Sequence, residues 1–342
     1  MTTIAENTAA AVVAHPVALG VDGLTVDIQT PTGTVRAVDH VSFDARRGET
    51  LALLGESGCG KSMTATAVVG LLEPVAEITE GAVRLTDDGE TTDLVGASPA
   101  RRRELAGPSL AIVFQDALTA LNPVYTVGTQ LAEPFRIHRG MSKKQARAAA
   151  IELMGRVGIP EPETRVDAYP HQFSGGMRQR LLIAIGVALS PAVLLADEPT
   201  TALDVTVQAQ IMQLLKDLRT ERDMAVVLIT HDLALVSEQA DRVVVMYAGT
   251  VVEQGPVATV FADPKHPYTK GLLDSVPVSA KRGAELRSIG GAPPELAAIP
   301  AACVYQDRCP LVRDRCRTER PVPREVGPDR VAACHFPEEV TA

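Results

Sequence analysis

The sequence predicts an α/β fold: a mixed sheet core with an antiparallel β subdomain and a helical insertion, followed by a small irregular C-terminal module. Three observations carry this reading. An uninterrupted apolar run, Leu51-Ala-Leu-Leu54, ends in a glycine-rich loop and then in helix-forming residues. Apolar strands and helical segments alternate from about residue 176 to residue 252, as a parallel sheet with crossover helices requires. From Gly255 onward Pro, Arg and Cys become dense and periodicity disappears.

Each element follows in order. Alternating apolar and polar residues from Val21 to Asp44, broken by Thr30-Pro-Thr-Gly33, read as a β-hairpin near a sheet edge. Leu51 to Leu54 suits a strand covered on both faces, and the helix after the glycine loop runs to Leu72 before Pro74. Ala82 to Leu85 and Leu110 to Phe114 are further strands. Residues 131–157 read as helical, with Ser142 and Gln145 spaced as a capping box. Then come a helix from Gly176 to Leu189, a strand Val193 to Ala196, a helix Val205 to Thr220 and a strand Ala225 to Ile229. One short helix after Asp232 and strands at Val243 to Met246 and Thr250 to Val252 complete the series. The division expected is a flexible leader 1–18, a main domain 19–255 with a helical subdomain at about 116–173, and an extension 256–342.

Composition excludes several classes. With 342 residues, 46% hydrophobic and 22% charged, the chain is expected to be a packed globular protein of one large domain plus an appendage, or of two domains. Its longest apolar stretch, Leu181 to Leu189, falls far short of the roughly 18 residues of a membrane span. A net charge of −9 argues against a nucleic-acid surface. The N-terminus lacks a secretory signal pattern, which suits a cytoplasmic protein. Of five cysteines, four lie between Cys303 and Cys334, an unlikely disulfide framework in that compartment.

Gly55-Glu56-Ser57-Gly58-Cys59-Gly60-Lys61-Ser62 matches G-x-x-x-x-G-K-[ST] in full, between a buried strand and a helix. Glycines there let backbone N–H groups curl onto phosphate oxygens, and the following helix points its positive end at them. Lys61 suits the β- and γ-phosphates of ATP and Ser62 suits Mg²⁺. Cys59 reads as a small filler. Downstream, an apolar strand ends in Asp197-Glu198, the first suited to the metal and the second to polarising water as general base.

Phe173-Ser-Gly-Gly-Met-Arg-Gln-Arg180 then resembles the signature of ATP-binding-cassette (ABC) ATPases, and its place just before the Asp197-Glu198 strand is the family's order. The resemblance covers about residues 21 to 256. It implies that Gln115 is the glutamine sensing Mg²⁺ and nucleotide, that Ala202-Leu203-Asp204 is the D-loop, and that His231 is the switch histidine. It also implies a head-to-tail pair of cassettes, each ATP held by one subunit's P-loop and the other's signature. Ser174, Gly175 and Gly176 open a helix, an anion-binding terminus suited to a γ-phosphate. Met177 stands where many relatives carry glutamine, as in the peptide-importer branch. Ile28 aligns with the aromatic that stacks on adenine. Such stacking is worth about 1–3 kcal/mol per base, so adenine is expected to be held more weakly or from elsewhere.

His266-Pro-Tyr-Thr269 and the tail resemble the extension of oligopeptide, dipeptide and nickel importer ATPases; locally, the same residues read as a helix start with proline in the first turn. Cys303, Cys309, Cys316 and Cys334 form C-x5-C-x6-C-x17-C. Four thiolates in a module poor in apolar periodicity suggest a metal or cluster clamping the fold. The wide spacing around proline favours a [4Fe-4S] cluster over zinc, which prefers close pairs, although His335 keeps Zn²⁺ open and free thiols remain an alternative. Replacing Cys309 by Ser is expected to lose the cluster and destabilise the tail while leaving nucleotide binding mostly intact.

The expectation is an ATP-hydrolysing subunit energising import of di- or oligopeptides, peripheral on the cytoplasmic face of the cell membrane. The implied partners are a second ABC ATPase, a sister subunit in a heterodimer, two transmembrane permease subunits and an extracytoplasmic substrate-binding protein. Alternatives are a nickel or other small-solute importer, a soluble ABC ATPase without transport, and a cassette whose tail is a redox or regulatory module.

Overall fold

The computed structural model describes residues 15–115, 120–200, 203–275 and 289–341. The leader before residue 15, the start of the expected helical subdomain at 116–119 and Ala202 of the expected D-loop lie outside the described residues.

The chain opens with a hairpin, β1 (Val17–Thr30) and β2 (Gly33–Arg46), whose register closes at Thr30 opposite Gly33. The expected turn is therefore the observed one, and Thr30 Oγ1 donates to Gly33 O across it at 2.6 Å. Then follow β3 (Thr50–Leu54), α1 (Lys61–Val69), β4 (Ala76–Asp87), β5 (Glu90–Asp93), α2 (Pro99–Leu105) and β6 (Leu110–Val113). The helical stretch expected at 131–157 is two helices, α3 (Val127–Arg139) and α4 (Lys143–Arg156), parted by Gly140 at φ 60°. A left-handed residue ends a helix because it turns the chain out of the i→i−4 ladder. The capping box at α4 has both bonds: Ser142 Oγ accepts from Gln145 N–H, and Gln145 Oε1 accepts from Ser142 N–H.

After the single turn α5 (Pro162–Arg165), the alternation runs through α6 (Gly175–Val187), β7 (Val193–Asp197), α7 (Val205–Arg222), β8 (Ala225–Thr230), α8 (Leu233–Gln239), β9 (Arg242–Tyr247) and β10 (Thr250–Pro256). The tail contributes α9 (Val257–Ala262), α10 (Pro267–Asp274), α11 (Asp314–Thr318), β11 (Arg324–Gly327) and β12 (Arg330–Ala332).

Among the described residues the strands form two sheets, one in the order β2-β1-β4-β5 and one in the order β11-β12-β10-β9-β3-β8-β7-β6. The first is antiparallel. In the second, β9, β3, β8, β7 and β6 are parallel, and β10, β12 and β11 add an antiparallel flank. Every residue of β3, β7 and β8 is buried, which is why these strands read as unbroken apolar runs.

The core has three parts. Helices α3, α4, α6 and α7 pack Phe135, Met154, Leu181 and Ile211 on one side of the parallel strands. The hairpin sheet and α1 pack Leu24, Phe43, Ala65 and Val83 on the other. The third part joins β9 and β10 to the tail, with Val243, Tyr247, Tyr268, Cys303, Tyr305 and Cys316 buried together. The tail, expected to be irregular, thus shares core with the sheet and continues it through β12. Glu253 on β10, with no exposed surface, ties the two by accepting from the N–H groups of Lys265 and His266 at 2.9 and 3.0 Å and from Arg330 Nη2 at 3.2 Å.

Candidate active site

The loop from Gly55 to Gly60 leaves β3 at the carboxyl edge of the parallel strands and enters α1 at Lys61. Two glycines are obligatory for geometric reasons. A Cβ on Gly55 would stand 2.3 Å from Met246 O; one on Gly60 would stand 2.8 Å from Ala37 O, and Gly60 also has φ +99°. Lys61 is 5% exposed, and its ammonium donates to Gly55 O at 2.8 Å and Glu56 O at 3.0 Å. These two carbonyls hold the ammonium at the mouth of the loop, where an anion can meet it. Cys59 packs in the core beneath this loop, and burial pushes its thiol up, away from the reactive thiolate. Its reading as a filler is consistent with that placement.

Above the loop lies a cleft of ≈ 360 Å³ lined by Ser57, Gly58, Gly60, Lys61 and Ser62, with Gln115 and Glu198 opposite. Its apolar wall holds Ile28 from β1 and Leu296, a tail residue that sequence reasoning missed. Nothing in the local pattern around Leu296 marks it, since its neighbour in space belongs to a hairpin at the other end of the chain.

Strand β7 delivers the two carboxylates. Asp197 is 6% exposed, and Ser62 Oγ donates to its Oδ1 at 3.1 Å. Burial holds Asp197 above the usual carboxylate range, against the Ser62 hydrogen bond and the Lys61 charge, which pull it down. A buried carboxylate beside a hydroxyl is an all-oxygen donor pair, suited to a small hard cation such as Mg²⁺. Glu198 follows in the left-handed region at φ 44°, a conformation a non-glycine side chain adopts only under constraint. There its Oε2 accepts from Gln115 Nε2 at 2.8 Å, and its Oε1 stands 2.9 Å from His231 Nδ1. Gln115, Glu198 and His231, three residues far apart in sequence, are thus joined in one hydrogen-bonded row.

The remaining expected residues lie elsewhere. Ser174 caps α6, accepting from Met177 N–H, and its hydroxyl end and Gly175 are exposed, with open space where a Cβ on Gly175 would project. Gly176 faces Val207 of α7, leaving 2.7 Å for a Cβ. Asp204 caps α7 through a bond from Val207 N–H at 2.9 Å. None of Ser174, Gly175, Gly176 and Asp204 lines the cleft over Lys61.

The tail reaches this site, which the sequence did not lead one to expect. His266 does start a helix, its Nδ1 accepting from Tyr268 N–H at 3.1 Å, and complete burial pushes its pKa down to about 3, so the ring is neutral. Tyr268 then extends its hydroxyl to accept the N–H of Glu56 at 2.9 Å, and Arg308 grips the Glu56 carboxylate at 2.6 and 3.0 Å.

The four tail cysteines share one neighbourhood. Cys303 N–H donates to Cys316 O at 3.1 Å. Burial pushes the Cys309 thiol up to about 12 and Cys334 up to about 11, with neighbouring thiols of the set pushing the same way. Such thiols ionise only when a cation or cluster compensates them. Among the described residues, no group of three or more His, Cys, Asp or Glu side chains is arranged to hold a metal ion. Nor, among those residues, is any helix long and apolar enough to cross a membrane.

Comparison with known proteins gives this geometry its context. The ABC transporter family matches residues 38–201, and the family described as oligopeptide/dipeptide transporter, C-terminal region, matches residues 252–316. The dipeptide transport ATP-binding protein DppD of Escherichia coli (strain K12) is 46% identical over 319 residues, 93% of this chain and 96% of that protein. DppD of Bacillus subtilis (strain 168) is 50% identical over 85% of this chain and 86% of its own length. A putative peptide import ATP-binding protein of Brucella abortus (strain 2308) is 43% identical over 95% and 98%. Among solved structures, the ATP-binding cassette MJ0796, in a dimeric post-hydrolysis state bound to ADP and Pi, superposes with a TM-score of 0.61 at 27% identity, covering 70% of this chain and 98% of its own. By its phosphate loop, its signature helix, its tail and these likenesses, the chain belongs to the ABC transporter ATP-binding proteins, in their oligopeptide/dipeptide transporter branch.

Proposed function

We propose that this chain is the ATP-hydrolysing subunit of a di- or oligopeptide importer, seated on the cytoplasmic face of two permease subunits that receive substrate from an extracytoplasmic binding protein. The observation that carries the chemistry is the Glu198 carboxylate, held between Gln115 and His231 next to the Asp197–Ser62 pair. The substrate class rests on the relatives' names and on the tail that they share.

In this reading Gly55 to Gly60 cradle the phosphates with backbone N–H groups, and Lys61 exchanges its carbonyl partners for β- and γ-phosphate oxygens. Ser62, Asp197 and Gln115 would hold Mg²⁺, which would supply positive charge to offset that of the phosphates. Glu198 takes the proton of the attacking water as its oxygen bonds the γ-phosphorus and the bond to the β-γ bridging oxygen breaks, leaving ADP and phosphate. His231 fixes the Glu198 carboxylate for that transfer. Adenine packs between the aliphatic side chains of Ile28 and Leu296, so the tail supplies part of a grip that an aromatic ring provides in relatives.

The exposed Ser174-Gly175-Gly176 terminus, lying outside the chain's own cleft, serves the nucleotide of a second cassette, a sister subunit in a heterodimer, with Asp204 at that interface. The working units are a leader 1–18, the last two residues of which already belong to β1, a cassette 19–255 and an extension 256–342 whose Cys303, Cys309, Cys316 and Cys334 take a [4Fe-4S] cluster, with Zn²⁺ as the alternative. That cluster would act as a structural clamp. Reconstitution of the chain with its permeases and sister ATPase in proteoliposomes tests the function: ATP-dependent uptake of a labelled dipeptide or oligopeptide is expected. Uptake of nickel alone, or peptide uptake indifferent to Glu198→Gln, would overturn the reading.

A further inference from the structure

Glu56, the second residue of the phosphate loop, is engaged on three sides. Its carbonyl accepts from Lys61 Nζ at 3.0 Å, its N–H donates to Tyr268 Oη at 2.9 Å, and its carboxylate accepts from Arg308 Nη1 and Nη2 at 2.6 and 3.0 Å. Two of the three partners belong to the tail, 212 and 252 positions away.

Arg308 is itself fixed before it meets Glu56. Its side chain is 4% exposed, its Nε donates to Gly290 O at 2.9 Å, and its guanidinium lies 5.7 Å from the centroid of the Tyr247 ring. Tyr247 packs in turn on Tyr268 and Tyr305, with centroids 4.7 and 5.1 Å away. Arg308 N–H donates to Tyr305 O at 3.1 Å, which seats the residue on the turn between Cys303 and Cys309. A planar fork held this way can receive a carboxylate in one orientation only.

The charges explain why such a fork is needed. A carboxylate in a phosphate loop opposes a triphosphate, and the Lys61 ammonium is the loop's single cation. Left unpaired, Glu56 would attract Lys61 and repel the incoming phosphates; paired with Arg308, its charge is cancelled and Lys61 stays available.

We infer that Arg308 is a positioning residue for ATP: by pairing with Glu56 it holds the phosphate loop in its binding shape, so that the tail sets the affinity of the cassette for nucleotide. The inference rests on the ATP-site reading above. It makes the turn between Cys303 and Cys309 the place from which the tail acts on the loop.

The test is equilibrium binding of a fluorescent ATP analogue to the full chain, with steady-state hydrolysis in the assembled transporter. Arg308→Gln is expected to weaken binding about tenfold or more, since breaking one partner of a largely buried charge pair strands the other. At saturating ATP its kcat should stay within about twofold, because Arg308 touches no reacting atom. Glu56→Gln combined with Arg308→Gln should bind no more weakly than Arg308→Gln alone, since the two side chains act as one pair. Wild-type affinity in Arg308→Gln, or a double variant weaker than Arg308→Gln by the full loss seen in Glu56→Gln alone, would overturn the inference. Should Arg308→Gln fail to fold, Arg308→Lys decides: it keeps the charge but not the fork, and weakened binding supports the inference while unchanged binding rejects it. Lys61→Ala separates the two levels: analogue binding that survives it refutes the ATP-site reading itself, whatever Arg308 does.

Discussion

Ser62 Oγ donates to Asp197 Oδ1 at 3.1 Å, joining the first turn of α1 to the end of β7 across 135 positions of sequence. This contact links the phosphate loop to the strand end that carries Glu198.

Glu198→Gln is expected to bind ATP and hydrolyse it about 10²- to 10⁴-fold more slowly, the range for loss of a general base. Turnover by the assembled transporter, set beside nucleotide binding to the same preparation, separates the two. Near-normal hydrolysis would remove Glu198 from the role of base.

Ser174→Arg should leave analogue binding to the isolated chain within about threefold while lowering hydrolysis by the complex about a hundredfold, as expected for loss of a charge-stabilising terminus supplied from a second cassette. The defect should appear at the partner's nucleotide. Abolished binding by the isolated chain would place Ser174 in its own site instead.

Anaerobically purified protein should be brown, absorb broadly near 400 nm and contain about four irons per chain. Cys309→Ser should lose the colour and lower the stability of the tail. Stoichiometric zinc without iron would replace the cluster by a zinc site, and protein free of both metals would leave the thiols unligated.

Burial holds Glu253 above its ordinary value of 4.5. The folded state therefore binds that proton more tightly than the unfolded chain, and its ionisation costs stability as pH rises from the ordinary value through the raised one. Glu253→Gln lacks this cost, so urea midpoints between about pH 4 and 7 should show the wild type losing ground to the variant as pH rises. Parallel profiles would contradict the sign. Glu253→Ala should cost about 3–5 kcal/mol at neutral pH, because two backbone N–H groups lose their acceptor and Arg330 loses its buried carboxylate, keeping only Asp263.

What was legible in the sequence is what local rules govern. The glycine loop lies between a buried strand and a helix because close approaches at Gly55 and Gly60 forbid side chains, and that constraint is written in the residues themselves. The hairpin turn and the α4 capping box are equally local. Strand β5, with no buried residue, and helix α2, with one, carry too little apolar pattern to be seen. Strands β11 and β12, four and three residues long, are fixed by pairing, β12 to β10 and β11 to β12, and not by their own periodicity. The Arg308–Glu56 pair was invisible for the same reason: an ion pair across 252 positions leaves no periodic trace.

The pairing of β12 with β10 makes the tail an edge guard. A chain cut at residue 256 would expose the N–H and C=O groups of β10 that β12 covers, along a strand whose remaining neighbour β9 is strongly apolar, a template for adding strands from other molecules. Truncation would thus convert a closed flank into an adhesive one, and the cassette freed of its tail would be lost to self-association before its catalytic competence could matter.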